Sequence, residues 1–435
     1  MTTTELPSPS ALPREKASRR VGTLVMKFGG TSVGDVDRLK AVARRLVAAR
    51  KAGNRVVCVL SAMGHTTDEL IDLAHRVSPH PKPRALDMLV TVGERISCAL
   101  AEMAIEDLGA PAVSLTGSQA GIVTDTQHGK AKIVDIRARR IHQALDEGKI
   151  VLVAGFQGVS TEAEITTLGR GGSDMTAVAL AAALRADACE IYTDVEGVFT
   201  ADPRIVPEAR KLDAVSYEEM LEMAATGARV LQLRSVEFAR NHGVTLHVRS
   251  TFSETPGTWI CEEDKGMLEK AMISGVTHDT SEAKMTILGV PDRPGIAARV
   301  FRALADAAVN VDMIVQNVSA DGHTDISFTL PKDDLAVAEP ILAEIAKEVG
   351  ARGFTQDADI GKVSLVGAGM RSHPGVAADM FEALAEAGIN IEIISTSSIR
   401  ISCVVRAGDV ERAVQAVHDR FRLAESAGPR VTSDA

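Results

Sequence analysis

The alternation of apolar and polar residues in the first half of the chain predicts strands and helices in turn. A short apolar run at Thr23–Phe28 ends in two glycines, and apolar residues then recur at helical spacing within residues 35–50 (Val36, Leu39, Val42 and Leu46). Apolar runs at Arg55–Leu60 and Ile150–Ala154 also end in glycine-containing turns. This alternation favours an α/β fold with a mainly parallel sheet between helices, which binds ligands at the carboxyl ends of its strands.

The second half of the chain contains an internal repeat. Residues 284–329 and 362–405 share a pattern of strand, Pro-Gly turn, amphipathic helix and a second strand beginning Asn-Val or Asn-Ile. Matching residues lie 80 positions apart: Pro294-Gly295 and Pro374-Gly375, Phe301 and Phe381, Asn310 and Asn390. Each β-α-β-β unit has an apolar face that it can bury against the other unit or against a second subunit.

Composition narrows the class of protein. The chain has 435 residues, 45% apolar and 24% charged, which is typical of a globular protein of about two to four domains. A net charge of -10 argues against a nucleic acid or an anionic membrane as partner, because both bind basic surfaces. The five cysteines include no CxxC pair, so neither a zinc site nor a disulfide framework is indicated, and a cytoplasmic location is expected.

Neither a membrane span nor an export signal is expected. No stretch supplies the roughly 18 consecutive apolar residues that cross a membrane. The pair Arg19-Arg20 could belong to an export signal, but a strand and a glycine loop follow in place of the hydrophobic segment that such a signal needs. Residues 1–20 are expected to form a disordered tail.

The first candidate for chemistry is the loop Lys27-Phe28-Gly29-Gly30-Thr31-Ser32. Lys27 ends the first strand, so its ammonium and the N–H groups of the glycines converge where a phosphate could bind. The loop is not a Walker loop, because GxxxxGK[ST] is absent and its lysine would follow the glycines. A tight turn with a solvent-exposed lysine is the alternative.

A second glycine-rich turn, Leu-Gly-Arg-Gly-Gly-Ser-Asp at residues 168–174, opens another helix. Its Arg170 could hold a substrate carboxylate by two hydrogen bonds. Consecutive glycines lose much entropy on folding, which favours a functional role over a flexible surface turn. Glu94 lies in an otherwise apolar helix, and Thr193 and Asp194 follow a strand. Their alternatives are a surface glutamate and a plain loop.

Five motifs, taken in order, resemble the aspartate kinases of the amino acid kinase family. They are the Lys27 loop, Ser61-Ala62-Met63-Gly64, Val92-Gly93-Glu94, the Arg170 turn and Tyr192-Thr193-Asp194. The repeat resembles their paired ACT domains. The resemblance implies an amino acid kinase fold, a mainly parallel sheet between helices, followed by two ferredoxin-like βαββαβ ACT domains. The implied domains are a catalytic domain at 21–262 and ACT domains at 263–345 and 346–425, with tails at 1–20 and 426–435.

By this resemblance the chain binds ATP with its Mg²⁺, binds L-aspartate, and uses Lys27 and Asp174 in catalysis. The implied ATP-binding residues are Lys27, Phe28, Gly29, Gly30, Ser61, Ser173, Thr193, Asp194, Phe199, Thr200, Ala201, Asp202, Pro203, Arg204 and Arg229. The implied aspartate-binding residues are Ser61, Thr67, Glu94, Arg170, Gly171, Gly172, Ser173 and Asp174. The metal is expected to arrive on the nucleotide. Arg229 departs from the family, since many relatives carry a lysine there and a guanidinium has a different reach.

Physical reasoning agrees with these roles. Arg170 suits the α-carboxylate of an amino acid, and Glu94 suits its α-ammonium. The β-carboxylate of aspartate has a pKa of about 3.9, so it is ionised at neutral pH and needs no general base. Catalysis then requires bringing two anions together and stabilising charge on the transferred phosphoryl group, which Lys27, the loop amides and Mg²⁺ can do.

The repeat also resembles a regulatory module. Its Pro-Gly turn opens a helix whose N-terminal amides can receive the carboxylate of an effector. The implied effector-binding residues are Asp292, Gly295, Ile296, Ala297, Gln316, Ser319 and Asp325 in the first repeat and Asn390, Ile391, Thr396 and Ser397 in the second. The family implies feedback inhibition by lysine, threonine or both, and a purely structural dimerisation module is the alternative.

The assembly and two rival functions stay open. Met267 lies just before the repeats, where some relatives start a separate ACT-only subunit, so both a homo-oligomer and a heterotetramer are possible. A kinase of another acid, such as glutamate or acetylglutamate, would share the Lys27 loop, but the paired ACT domains and the Arg170 turn argue against it. A non-catalytic amino acid sensor would not need Lys27, Arg170 and Asp174 together.

Overall fold

The structure is a computed structural model that describes residues 22–262, 272–317, 322–368, 370, 373 and 375–425. The predicted tails at 1–20 and 426–435, together with Met267 and Ser319, lie outside these residues. The described chain divides into two compact units. The first takes most of residues 22–262, and the second takes Phe199–Arg210, Ala225–Ala228 and the described residues from 272 onward.

A largely parallel sheet forms the centre of the first unit. The strands of this unit are β1 (Thr23–Phe28), β2 (Arg55–Leu60), β3 (Ala112–Leu115), β4 (Ile122–Thr124), β5 (Ile133–Ile136), β6 (Ile150–Ala154), β7 (Gln157–Ser160), β8 (Ile165–Thr167), β9 (Ala188–Thr193), β10 (Ala214–Ser216), β11 (Leu246–Ser250) and β12 (Thr258–Cys261). The main sheet has the order β10-β12-β11-β9-β1-β2-β6-β3, and its pairs are parallel except β11 with β12. A smaller sheet has the order β5-β4-β7-β8. The predicted α/β class is confirmed.

Helices cover both faces of the main sheet. They are α1 (Val36–Lys51), α2 (Thr66–Val77), α3 (Pro83–Val90), α4 (Val92–Asp107), α5 (Arg139–Asp146), α6 (Gly172–Leu184), α7 (Tyr217–Ala225) and α8 (Leu233–His242). The predicted helix at 35–50 is α1, which begins where the side chain of Asp35 accepts a hydrogen bond from the Arg38 N–H at 2.8 Å. Met26 and Phe28 pack with α1 and α4 in one core. Successive strand residues face opposite sides, so Lys27 faces α6.

The second unit contains two antiparallel sheets. Its strands are β13 (Met272–Asp279), β14 (Glu282–Pro291), β15 (Ile314–Gln316), β16 (His323–Pro331), β17 (Gly353–Asp357), β18 (Ile360–Ala368), β19 (Ile393–Thr396) and β20 (Arg400–Arg406). Its helices are α9 (Ile296–Asp306), α10 (Leu335–Glu348), α11 (Gly375–Glu386) and α12 (Val410–Arg420). The sheet orders are β15-β16-β14-β17 and β13-β18-β20-β19. The predicted pair of ferredoxin-like domains is confirmed.

The predicted division of the repeats at residues 345 and 346 is wrong for two strands. Strand β17 pairs with β14, so the first sheet has the chain order βαββαβ and extends to residue 357. Strand β13 precedes the first repeat in the chain but pairs with β18 of the second. Its Ile273 and Val276 enter the core formed by Val363 and Leu365. The physical reason is that β13 buries its apolar side chains in the core of the second sheet, beside its partner strand β18.

The second strand of each repeat also begins later than predicted. Asn310 and Asn390 are exposed in loops, and the strands start at Ile314 and Ile393. Val309 and Ile389, one residue before each asparagine, are buried and join the cores. Among the helices that the structure describes, none has both the length and the apolar character needed to span a membrane.

Candidate active site

Lys27 and Asp174 meet at the carboxyl end of β1. The Lys27 ammonium lies 2.6 Å from Oδ1 of Asp174, which is in the first turn of α6, and both side chains are largely buried. The Lys27 loop and the Arg170 turn, predicted as separate motifs, are therefore parts of one site. A charge-assisted contact between partly buried groups holds the lysine in a fixed position.

The Lys27 loop packs closely on the residues that follow β2. The Gly64 N–H donates to the Gly30 carbonyl at 3.1 Å, and the Ser61 N–H donates to the Phe28 carbonyl at 3.1 Å. A Cβ added to Gly30 would lie 3.0 Å from the Ala62 carbonyl oxygen, so the approach leaves little room for a side chain. A Cβ added to Gly29 would lie 3.5 Å from the Lys27 ammonium, which places that charge beside the glycines.

Glu94 belongs to the same site, through Ala62. Its side chain is 3% exposed, and its Oε1 accepts a hydrogen bond from the Ala62 N–H at 3.2 Å. In the described part of the chain its Oε2 has no hydrogen-bond partner. Burial raises the pKa of Glu94 to about 7. Because the side chain is buried, the alternative of a surface glutamate is wrong. A ligand ammonium would satisfy the unpaired oxygen.

The raised pKa of Glu94 predicts a pH-dependent stability. The folded state holds this proton up to about pH 7, whereas the unfolded chain releases it near 4.5, so stability falls as pH rises between these values. The free energy of unfolding of the ligand-free protein should fall by about 2.5 kcal/mol relative to that of Glu94→Gln between about pH 5 and about pH 8. Urea unfolding of both proteins at the two pH values measures this. An unchanged difference would contradict the assignment.

The Arg170 turn presents a free guanidinium. Gly169 and Gly171 have φ values of 78° and 69°, in the left-handed region that favours glycine. A Cβ added to Gly171 would lie 1.9 Å from Cγ of Gln232, so the turn is also tightly packed. Arg170 is exposed, and no described residue bonds its side chain. It is free to receive an anionic ligand at the start of α6, while Ser173 is buried one residue before Asp174.

Sequence reasoning missed Asp87, which holds the base of the Arg170 turn. Asp87 lies in α3, is 2% exposed, and accepts the Thr167 hydroxyl at 2.6 Å and the Gly129 N–H at 3.1 Å. Nδ1 of His128 lies 2.7 Å from the same carboxylate. Arg234 in α8 also supports the turn, because its side chain donates to the carbonyl of Leu168 at 3.2 Å. Leu168 directly follows Thr167 and is the first residue of the turn. The available signal was a lone charge in the apolar run 85–93.

Replacing Asp87 with alanine should destabilise the protein. The change leaves the buried Thr167 hydroxyl and the Gly129 N–H without their acceptor, which costs about 3 kcal/mol. Denaturant unfolding measures the loss. Asp72→Ala in α2 is the matched control, because Asp72 is exposed and should change stability by less than about 0.5 kcal/mol. Equal effects of the two changes would contradict the role of Asp87.

The first compact unit also contains the predicted site residues Ser61, Thr67, Thr193, Asp194 and Arg229. Ser61, at the end of β2, and Thr67, in the first turn of α2, are half-buried beside the loop that contacts Glu94. Thr193 ends β9, next to β1, and its hydroxyl donates to Asp194 at 3.0 Å. Arg229 is exposed, and no described residue bonds it. Their nucleotide and substrate contacts remain predictions.

The predicted nucleotide segment at 199–204 lies in the second compact unit. There the Thr200 carbonyl accepts the Val276 N–H at 2.7 Å, and Ala201 is part of the core. Asp202 accepts from Arg204 at 2.6 Å, and this contact lowers the pKa of the carboxyl. Phe199 is half-buried and Pro203 is exposed. Their contact with a nucleotide also remains a prediction.

The predicted effector positions that the structure describes lie at the start of α9, in or near β15 and β16, and around β19. Gly295, with φ 93°, caps α9 ahead of Ile296 and Ala297. Asp292 and Gln316 are exposed, and Asp325 accepts the Gly289 N–H at 2.7 Å. Asn390 and Ile391 precede β19, and Thr396 and Ser397 follow at its end. An amino acid bound there stays a prediction.

No group of three or more His, Cys, Asp or Glu side chains in the described part of the chain could hold a metal ion. Near the glycine loop the carboxylate of Asp174 is engaged by Lys27. Mg²⁺ prefers to keep several waters and to bind through one or two carboxylates and substrate phosphates. Delivery of the metal on a nucleotide stays a prediction.

Comparisons with known proteins cover most of the described chain. An amino acid kinase family model matches residues 22–250, and ACT domain models match residues 284–350 and 363–421. The aspartokinase of Mycolicibacterium smegmatis is 59% identical over 404 residues, which cover 92% of this chain and 96% of the relative.

Two solved structures of E. coli aspartokinase III share the fold. The complex with aspartate and ADP (R-state) has a TM-score of 0.79 and 25% identity, and the match covers 92% of this chain and 100% of that one. The complex with lysine and aspartate (T-state) has a TM-score of 0.70 and 26% identity, and the match covers 91% of this chain and 99% of that one. The chain therefore belongs to the aspartokinases, members of the amino acid kinase family that carry paired ACT domains.

Proposed function

We propose that this protein transfers the γ-phosphoryl group of ATP to the β-carboxylate of L-aspartate and forms 4-phospho-L-aspartate, the first step towards lysine, threonine and methionine. The observation that carries the proposal is the 2.6 Å contact between Lys27 and Asp174, which joins a phosphate-type loop to a turn suited to a carboxylate. The related E. coli aspartokinase III, solved with aspartate and ADP, supports the same pair of ligands.

Lys27 stabilises charge in this reaction. Its ammonium lies beside Gly29, where it can balance the negative charge that develops on the transferred phosphoryl group. Asp174 orients that ammonium, and the buried pair keeps the charge in place before the substrates arrive. The attacking β-carboxylate is already ionised, so no side chain has to remove a proton.

Glu94 and Arg170 recognise the amino acid part of the substrate. The guanidinium of Arg170 receives the α-carboxylate, and the free Oε2 of Glu94 receives the α-ammonium. An ammonium near Glu94 lowers the pKa of the carboxyl again, which favours its ionised form in the complex. A dicarboxylate without an amine would leave Glu94 buried and unpaired, so it should bind weakly.

A Mg²⁺ ion carried on ATP would neutralise part of the phosphate charge, and Lys27 would supply the protein's own positive charge beside Gly29. Ser61, Thr193, Asp194 and Arg229 complete the proposed nucleotide site in the first compact unit. Gly29 and Gly30 follow β1 at the carboxyl end of the parallel sheet, where ligands of such sheets bind, so their amides are the proposed donors to the phosphates.

The proposed activity is tested by ATP-dependent acyl-hydroxamate formation with aspartate, glutamate and N-acetylglutamate compared side by side. Aspartate should be the preferred substrate by at least about 10²-fold in kcat/KM. A preference for glutamate or N-acetylglutamate would overturn the assignment of substrate. A protein that binds amino acids without forming any hydroxamate would be a sensor.

Regulation, assembly and location belong to the same proposal. Lysine, threonine or both bind at the ACT domains and inhibit the kinase, in line with the lysine complex of E. coli aspartokinase III. The enzyme works in the cytoplasm, which suits a chain whose five cysteines include no CxxC pair. It assembles as a homo-oligomer or with an ACT-only subunit started near Met267. Calorimetry with each amino acid and the mass of the purified assembly test these points.

A further inference from the structure

The two ACT repeats carry matching lysines and matching carboxylates. Lys284 lies in β14 of the first repeat, and Lys362 lies in β18 of the second, so each is on the strand that opens its repeat. Asp312 and Glu392 are 80 positions apart, the spacing that relates the repeats. Each carboxylate lies just before the second strand of its repeat.

These lysines and carboxylates pair across the two repeats. The Lys362 ammonium of the second repeat lies 2.5 Å from Oδ2 of Asp312 in the first repeat. Lys284 of the first repeat forms the corresponding ion pair with Glu392 of the second. The neighbouring residues Met313 and Ile393, also 80 positions apart, pack in one small cluster with Ile360 and Val404. The two ion pairs thus cross between the repeats at corresponding positions.

Burial of Lys362 makes its ion pairs sensitive to the loss of a partner. The Lys362 side chain is 1% exposed and also contacts Oε1 of Glu282 at 2.6 Å. Burial alone would lower the pKa of Lys362, but Glu282 and Asp312 raise it above its usual value. A buried charge that loses its partner is strongly unfavourable, so the pairs either persist or reform in another arrangement.

Each carboxylate lies among the proposed effector positions. Asp312 precedes β15, whose last residue is Gln316. Glu392 directly follows Asn390 and Ile391 and precedes β19, whose last residue is Thr396. A ligand that moves either loop therefore changes the ion pair between the carboxylate of that loop and a lysine in the sheet of the other repeat.

We infer that the crossed pairs Lys284–Glu392 and Lys362–Asp312 couple the two repeats, so that an amino acid bound at one repeat changes the affinity of the other. The inference rests on the proposed effector binding and adds the residues that transmit it. Coupling of this kind requires a contiguous element whose arrangement both sites bias, and the two pairs with the Met313 cluster supply one. Lys284 and Lys362 are positioning residues and touch no effector.

Lys284→Met is the better test variant, because Glu392 keeps a second cation. Arg406 donates to Glu392 at 2.9 Å, so the carboxylate is not stranded when Lys284 is removed. In the described part of the chain, Lys362 alone pairs with Glu282 and Asp312, and its loss could unfold the domain. Lys347→Met in α10 is the matched control, since Lys347 is exposed and has no partner among the described residues.

The experiment measures inhibition of the full-length enzyme by L-lysine and by L-threonine, each alone and with the other at saturation. The factor by which one amino acid shifts the inhibition midpoint of the other is the coupling. In Lys284→Met this factor should fall by at least about 5-fold, with the kcat and KM of the uninhibited enzyme unchanged. Lys347→Met should keep the parent factor. Glu392→Gln should lose the same coupling, and the double variant should lose no more than either single one.

A parent factor that persists in both Lys284→Met and Glu392→Gln overturns the inference. A parent enzyme that both amino acids inhibit independently overturns it too, since there is then no coupling to transmit. Failure of the proposed regulation looks different, because the parent would be insensitive to both amino acids before any variant is made.

Discussion

Replacing Lys27 with methionine is expected to reduce kcat by about 10³-fold or more. Methionine has a similar length but no charge, so the variant loses the cation beside Gly29 while keeping most of the packing. The interaction is needed most when charge builds on the phosphoryl group in flight, so kcat should fall far more than the KM for ATP rises. Steady-state kinetics with saturating aspartate measure the change.

The loss of Lys27 also leaves the Asp174 carboxylate without its counter-ion, which could destabilise the protein. Lys27→Met combined with Asp174→Asn separates the two effects, because the neutral pair should recover stability but not turnover. Lys40→Met in α1 is the matched control, since Lys40 is exposed and without a partner in the described chain. A Lys27→Met enzyme with near-parental kcat would refute the assigned role.

The sequence predicted the elements that position Lys27 because local patterns determine them. An apolar run that stops at two glycines predicts a strand followed by a loop, and the structure has β1 at the predicted residues. Which side chain faces Lys27 is not a local property. Asp174 comes from another helix far along the chain, and only the packing of α6 on β1 brings it within 2.6 Å.

Long-range packing also explains what was missed or misplaced. Asp87 bonds groups 41 and 80 residues away, which no pattern within α3 reveals. The internal repeat predicted two related sheets correctly, yet similarity between repeats does not say which sheet an additional edge strand joins. The sequence therefore led to an assignment of β13 to the first ACT domain, whereas the strand pairs with β18 of the second. The segment at 199–210 shows the same limit, since its turn residues gave no sign of packing in the second unit.

Replacing Arg170 with methionine is expected to raise the KM for aspartate by about 30- to 100-fold. Arg170 is exposed and unbonded by any described residue, so the substrate carboxylate is the partner that its guanidinium lacks. Loss of two charge-assisted hydrogen bonds weakens ground-state binding and transition-state binding together, so kcat should change much less than KM. Lysine at this position should recover part of the affinity, because it keeps the charge but not the fork geometry.

Arg185→Met is the matched control for this prediction. Arg185 ends the same helix at its other terminus, is exposed, and forms no ion pair with a described residue. Arg185→Met changes the net charge of the protein by the same amount, but Arg185 follows the far end of α6, a whole helix away from the turn. The KM for aspartate should therefore stay within about twofold of the parent. The KM for ATP should be unaffected in both variants. If Arg170→Met and Arg185→Met raise the KM for aspartate equally, Arg170 acts through general electrostatics and does not bind the α-carboxylate.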